Sequence, residues 1–183
     1  MNPLQELHRQ LLRPQSDLWE GEVHLKRNEF LKVKGSTETN IYYVKKGCLR
    51  LYLEMDYEEQ IIRFGYPGEF ITALDSFLSE KPSPFYIQAL KKCSLLRMSK
   101  KRFMNYIQSD PQLVEAWQRS MEIGIIQSFE REIDLLTTSP INRYHRVLER
   151  SPQLFQHIPH KYIANYLRMS PETLSRLKGS PSE

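Results

Sequence analysis

The feature that most constrains this chain is a change of hydrophobic period near its middle. Between Val23 and Met98 the apolar residues come in short β-branched and aromatic runs: Phe30 to Val33, Ile41 to Val44, Cys48 to Leu53, Gln60 to Phe64, Phe85 to Leu90 and Ser94 to Met98. Turn signals separate them, among them Lys34-Gly35-Ser36, Lys46-Gly47, Gly65-Tyr66-Pro67-Gly68 and Lys81-Pro82-Ser83-Pro84. Many short strands at close spacing predict an antiparallel sandwich, jelly roll or small barrel. From Asp110 onward the period is helical, with Leu113, Trp117, Met121, Ile125, Ile133 and Leu136 along ~27 residues free of proline after Pro111. Val114, Ile123, Ile126 and Phe129 widen that apolar face, which predicts a helix with two partners, its own domain and a second helix across a dimer seam.

A second recurring device sits at the helix starts. Asp110-Pro111, Ser139-Pro140, Ser151-Pro152 and Ser170-Pro171 each set a side-chain acceptor at the N-cap and a proline at the first helical position, where its missing N–H costs nothing. Helices are expected from each of these prolines, with one more near Pro159. Leu4, Leu7, Leu11 and Leu12 lie on one face of an N-terminal helix that Arg13-Pro14 ends. The expected organisation is α+β: an N-terminal helix and antiparallel β-roll (a double-stranded jelly roll) over 1–109, a long dimerisation helix over 110–138, and a compact helical domain over 139–183.

Composition limits the function classes. Hydrophobic content of 40%, 26% charged residues and seven glycines describe a folded chain rather than a disordered or fibrous one. No apolar run nears the ~18 residues of a membrane span and the first residues lack a signal-peptide pattern, so no membrane and a cytoplasmic location are expected. Cys48 and Cys93 have no CxxC spacing and no nearby His. They are expected to be buried thiols, with no metal and no cofactor. The net charge is +4, and all of it falls in Ile141 to Glu183, where Arg143, Arg146, Arg150, Lys161, Arg168, Arg176 and Lys178 face only Glu149, Glu172 and Glu183. Such a tail suits a polyanion.

Within that tail, Ile163, Ala164, Leu167, Met169, Leu174 and Leu177 fit two short helices packed at a steep angle, Pro159 to Leu167 and Pro171 to Lys178, as in a helix-turn-helix. Ala164 would let the second helix approach, and Leu174 and Leu177 would face inward. Glu172, Ser175 and Arg176 then point outward as candidate base readers: Arg donates two hydrogen bonds to guanine, and Glu accepts from cytosine N4. Lys161, Arg168, Thr173 and Lys178 are the candidate phosphate contacts. Read only as structure, Glu172 and Arg176 form an i, i+4 pair worth about 0.3–0.5 kcal/mol.

Taken together, the order of modules resembles the Crp/Fnr family of bacterial transcription regulators. Ile41-Tyr42-Tyr43-Val44-Lys45-Lys46-Gly47 and Gly68-Glu69-Phe70-Ile71 are similar to its strand and turn motifs, and Glu172-Thr173-Leu174-Ser175-Arg176 resembles its recognition helix. The resemblance implies a sensor-like β-roll, a homodimer, a near-palindromic double-stranded DNA site, RNA polymerase as a further partner, an unknown small-molecule effector and no enzymatic activity.

The sequence departs from that family at its ligand cassette. Where cyclic AMP receptors carry a Glu for the ribose and an Arg-Ser pair for the phosphate, an ungapped count from Gly68 gives Thr72-Ala73-Leu74 and Ser83-Pro84. Losing a charged partner for a buried phosphate costs about 2–5 kcal/mol, or roughly 30-fold to several thousandfold in affinity, so cyclic AMP is not expected to bind at micromolar levels. Arg63, Thr72, Ala73, Leu74, Ser83 and Pro84 are the candidate lining of whatever pocket is left. Where the family continues into a β-hairpin wing, this sequence reads Gly179-Ser180-Pro181-Ser182-Glu183, so affinity is expected to rest on Lys161, Arg168 and Arg176. Arg168 occupies a turn position often filled by Gly. Two alternatives stay open: a metal-dependent cupin, for which only His24 of the five histidines lies in the β region, and a ligand-binding or assembly module whose tail does not bind DNA.

Overall fold

The computed structural model describes residues 7, 9–12, 17–56 and 58–179. Leu4 of the expected first helix and residues 180–183, which stand in place of a wing, lie outside them; Leu7 and residues 9–11 are helical. The strands are β1 Gly21–Leu25, β2 Phe30–Lys32, β3 Asn40–Lys46, β4 Leu49–Met55, β5 Glu58–Gly65, β6 Phe70–Ile71, β7 Tyr86–Ala89 and β8 Cys93–Ser99. They form two antiparallel sheets ordered β1-β8-β3-β6 and β2-β7-β4-β5, a jelly-roll-like pair of layers. Leu25, Val44, Leu49, Leu51, Ile71, Ile87, Ala89 and Leu95 fill the space between them, one residue in two along most strands, as the period-two pattern requires.

The turn from β3 to β4 shows why Lys46-Gly47 is a reliable signal. Gly47 has φ +90°, and a Cβ there would collide with the Lys92 carbonyl oxygen and lie 2.6 Å from Cys93 Sγ. Cys93 packs against the same turn, its Sγ 3.4 Å from the Cys48 carbonyl oxygen. Both thiols are free and buried; burial pushes Cys48 up and Cys93 up to about 11. Cys48 precedes β4 rather than belonging to a strand.

Two helices escape the sequence reading. One, α1 (Leu74–Ser79), interrupts the roll between β6 and β7 and buries Phe77. The other, α2 (Lys100–Gln108), follows β8 directly: the Ser99 hydroxyl accepts from Arg102 N, and Phe103 and Ile107, four apart, are buried. Two residues, Ser109 and Asp110, then separate it from α3, Pro111–Leu136, which starts with the Asp110 side chain accepting from Gln112 N. Its first turns pack on the roll through Leu113 and Trp117, in a cluster with Leu7, Leu11, Phe77, Met98 and Phe103. Past that point Ile125, Ile126, Phe129, Ile133 and Leu136 are 45–74% exposed. Gly124 stands mid-helix, where glycine costs about 1 kcal/mol relative to alanine.

The tail holds α4 (Pro140–Arg150), α5 (Pro152–His157), α6 (His160–Tyr166) and α7 (Pro171–Gly179). The Ser139 hydroxyl accepts from Asn142 N and caps α4, whereas Ser151 makes no side-chain cap at α5. Val147, Leu154, Ile158, Ile163, Ala164, Leu167 and Leu174 form its core, and this cluster runs on without a break into Cys48, Tyr52, Ile61, Phe64 and Leu90 of the roll. The tail is therefore packed against the sheet that ends in β5.

Candidate functional site

The turn between α6 and α7 is built from three backbone choices. Leu167 N bonds the Ile163 carbonyl, Arg168 N the Asn165 carbonyl, and Met169 N the Ala164 carbonyl, while Arg168 sits at φ 54°. This is a Schellman ending with a left-handed residue at its usual glycine position. The chain then re-enters a helix at once. Ser170 Oγ accepts from Thr173 N at 3.1 Å and the Ser170 carbonyl from Leu174 N, with Pro171 as the first helical residue. Ala164, Leu167 and Leu174 are fully buried where α6 and α7 meet, as the small side chain at 164 anticipates.

Glu172, Ser175 and Arg176 lie on the exposed side of α7, as the sequence expects. The Glu172 carboxyl is held below the usual carboxylate range by its own backbone N–H and the Ser170 hydroxyl. Lys161, Arg168 and Lys178 are exposed around that face; Lys161 Nζ rests 4.7 Å from the Tyr162 ring centre. Thr173 is half-buried, its hydroxyl 3.2 Å from that of Ser170, so it braces the cap more than it reaches outward.

The positive charge of the tail is not all turned outward, contrary to the expectation that it serves a polyanion. Arg146 and Arg150 both pair with Asp134, whose side chain is fully buried, and with Glu130, all on α3 and α4. Arg143 is buried and donates to the carbonyls of Thr137 and Arg168. Three of the tail's seven bases thus fix the tail to the long helix. The cations left facing outward cluster at α6, the turn and α7.

A further set of contacts fixes the tail to the roll. Asn165 accepts from Ile61 N at 3.1 Å and donates to the Glu59 carbonyl at 2.8 Å, so its amide pairs with edge strand β5 as a peptide group would. Tyr66 stacks on His157 with centroids 5.4 Å apart, Phe64 meets Tyr166, and Lys91 donates to the His157 carbonyl. Asn165, a half-buried polar residue in an apolar run, is the signal that pattern reading passed over.

The candidate ligand residues are not gathered into one site. Arg63 and Leu74 line a cavity of about 440 Å³ between the roll, α3 and the tail. Thr72 donates to the Asn40 carbonyl, Ala73 is fully buried, Ser83 is buried with its hydroxyl accepting from Phe85 N, and Pro84 is exposed. Sequence reasoning also missed a buried cation nearby. Lys32 donates to the Ser36 carbonyl, which accepts from Ser83 N as well. Burial lowers the Lys32 pKa against the pull of Glu38 and Asp75. The Glu38 carboxylate itself accepts from Thr39 N and Asn40 N. Lys32 reads in sequence as one polar position in the apolar run Phe30 to Val33, which is why it was passed over.

Comparison with known proteins bears on this architecture. Residues 22–110 match the family model of the cyclic nucleotide-binding domain. Mouse patatin-like phospholipase domain-containing protein 6 is 30% identical over 93 residues, which are 50% of this chain and 7% of that protein. The chain therefore spans less than a tenth of the length of that relative. Among solved structures, a CooA mutant from Carboxydothermus hydrogenoformans superposes with a TM-score of 0.70 at 15% identity, covering 94% of this chain and 82% of that one. The c-di-GMP responsive global regulator CLP of Xanthomonas campestris gives 0.63 at 17% identity, covering 86% and 84%. These likenesses establish the fold, a cyclic nucleotide-binding-type roll followed by a long helix and a helical tail.

Proposed function

We propose that this chain is a homodimeric, sequence-specific DNA-binding transcription regulator of the Crp/Fnr type that does not act as an enzyme and does not answer to cyclic AMP. The carrying observation is the outward face of α7: Glu172, Ser175 and Arg176 exposed on a capped helix, ringed by Lys161, Arg168 and Lys178. In this reading α7 enters the major groove, Arg176 reads a guanine, and the ring of cations fixes register on the phosphates. The exposed stripe on α3 pairs with a second copy, which sets two such helices about 34 Å apart on a near-palindromic site. RNA polymerase is the further partner this reading implies. The Xanthomonas neighbour, which links cell-cell signaling to virulence gene expression, supports it by analogy of fold.

Selection of bound duplexes from a random pool tests the proposal. A near-palindromic consensus is expected; enrichment of no sequence above the starting pool would reject it. On the selected site, Arg176→Ala should lose about 1–3 kcal/mol of discrimination at one base pair, while Lys161→Ala weakens all duplexes alike and lowers the salt slope by about one.

The second reading, an assembly or ligand-binding module whose tail does not bind DNA, is favoured by one observation: three of the tail's seven bases are spent on α3 and on backbone carbonyls. Under it, deleting residues 139–183 abolishes the dimer and no duplex is selected.

A further inference from the structure

The long helix has two opposite faces. At about 100° per residue, Ile125, Ile126, Phe129, Ile133 and Leu136 share one, and Trp117, Ser120, Gly124, Gln127 and Arg131 share the other. The second face walls the cavity of about 440 Å³, a volume within the range of small-molecule sites, between α3, strand β5 and the tail. Three observations bear on what that cavity takes.

The first is Arg131. Its Nη2 donates to the Tyr166 carbonyl at 2.5 Å and its guanidinium lies 3.6 Å from the Tyr166 ring centre. Its Nη1 is buried and has no hydrogen-bond partner among the described residues. A buried guanidinium N–H left without an acceptor is uncommon in folded proteins and calls for one. The second is charge. Among the described residues, three arginines line the cavity (Arg63, Arg131, Arg150) against one carboxyl, Glu69. Burial raises the Glu69 pKa, against the pull of Arg63. Arg150 is committed to Asp134, so a single cationic donor is left open at the Tyr166 end. The third is Gly124. No heavy atom lies within 4 Å of where its Cβ would be, so close packing within the chain does not demand a glycine there. What the missing side chain leaves is room in the cavity.

We propose that this cavity is a binding site for a small carboxylic acid with an apolar body, its carboxylate paired with Arg131 and its body lying against Trp117, Phe64, Leu154 and the open side of Gly124. A monoanion fits better than a phosphate dianion, because one donor is vacant and the neighbouring arginine is already paired. Of the six candidate ligand residues, Arg63 and Leu74 line it, whereas Thr72, Ala73, Ser83 and Pro84 do not. Its occupant touches the roll, α3 and the tail together, so it sets how firmly the tail is held. That regulatory role rests on the DNA-binding reading above; the binding site does not.

Octanoate and 1-octanol are the probes, titrated calorimetrically into the full chain without DNA, with Trp117 fluorescence as a second readout. Octanoate is expected to bind saturably, at least about tenfold more tightly than the alcohol. Arg131→Met should erase that preference. Because Arg131 also holds Tyr166 and its loss threatens folding, Gly124→Leu serves independently: it favours the helix, fills the cavity and should weaken octanoate by tenfold or more without lowering the melting temperature. Equal affinity for acid and alcohol, binding that survives Gly124→Leu, or no saturable octanoate binding at millimolar concentration each overturns the site. Octanoate binding by a protein that selects no duplex would leave the site standing and remove only its regulatory role.

Discussion

At Arg168 the demands of the turn and of the proposed interface oppose each other. A left-handed backbone costs a non-glycine residue about 1 kcal/mol or more, and here it is spent on a side chain that stands exposed beside α7. Arg168→Gly should therefore raise stability by about 0.5–1 kcal/mol in urea unfolding while weakening duplex binding at low salt. A variant that is neither more stable nor weaker in binding counts against both halves of this account. The strain was legible only through the resemblance, in which this turn position is often filled by Gly. The partners of Arg143, Arg146 and Arg150 were not. A count of charges carries no information on which side chains meet, and Asp134 and Glu130 lie well upstream on a different helix.

Among the elements, α3 shows both what periodicity tells and what it leaves out. Its length and start follow from Asp110-Pro111 and the apolar spacing, and the observed span, Pro111–Leu136, matches. Its width of apolar surface signals two partners, but a single chain covers only one side. Ile126 and Phe129 remain about 60% exposed. Burying such a side chain is worth about 1.5–3 kcal/mol, and a symmetric pair buries two copies. Phe129→Glu is expected to weaken self-association by about two orders of magnitude or more, read by sedimentation equilibrium, with folding intact. If the wild-type chain is monomeric at micromolar concentration, the seam is not a dimer interface. The short helices α1 and α2 were missed for a common reason: each is under three turns and adjoins a strand, so two or three apolar positions cannot define a period.

On the scale of the whole molecule, the tail is held by two unlike attachments, the Asp134 ion pairs to α3 and the Asn165 amide to β5. Removing one partner of a buried pair costs about 3–5 kcal/mol, but Arg146 and Arg150 are partly solvated, so Asp134→Ala should cost roughly 2–4 kcal/mol. Hydrogen exchange gives the sharper check. The Ile61 amide should lose protection in that variant if the tail detaches, and keep it if the ion pairs only stiffen α3. The layered roll could be read from alternation and turn residues. Docking of the tail onto it could not, because its contacts join residues about a hundred positions apart.

The position of β5 at the rim of its sheet gives that attachment another consequence. An open rim of backbone donors and acceptors is a template for strand addition between molecules, and proteins usually cover it. Here α6 lies against that rim, and its Asn165 amide occupies the Ile61 N–H and the Glu59 carbonyl. The same motion that would free the tail also uncovers an adhesive edge. Were the tail released, the edge would have to be occupied quickly or the chain would aggregate through it.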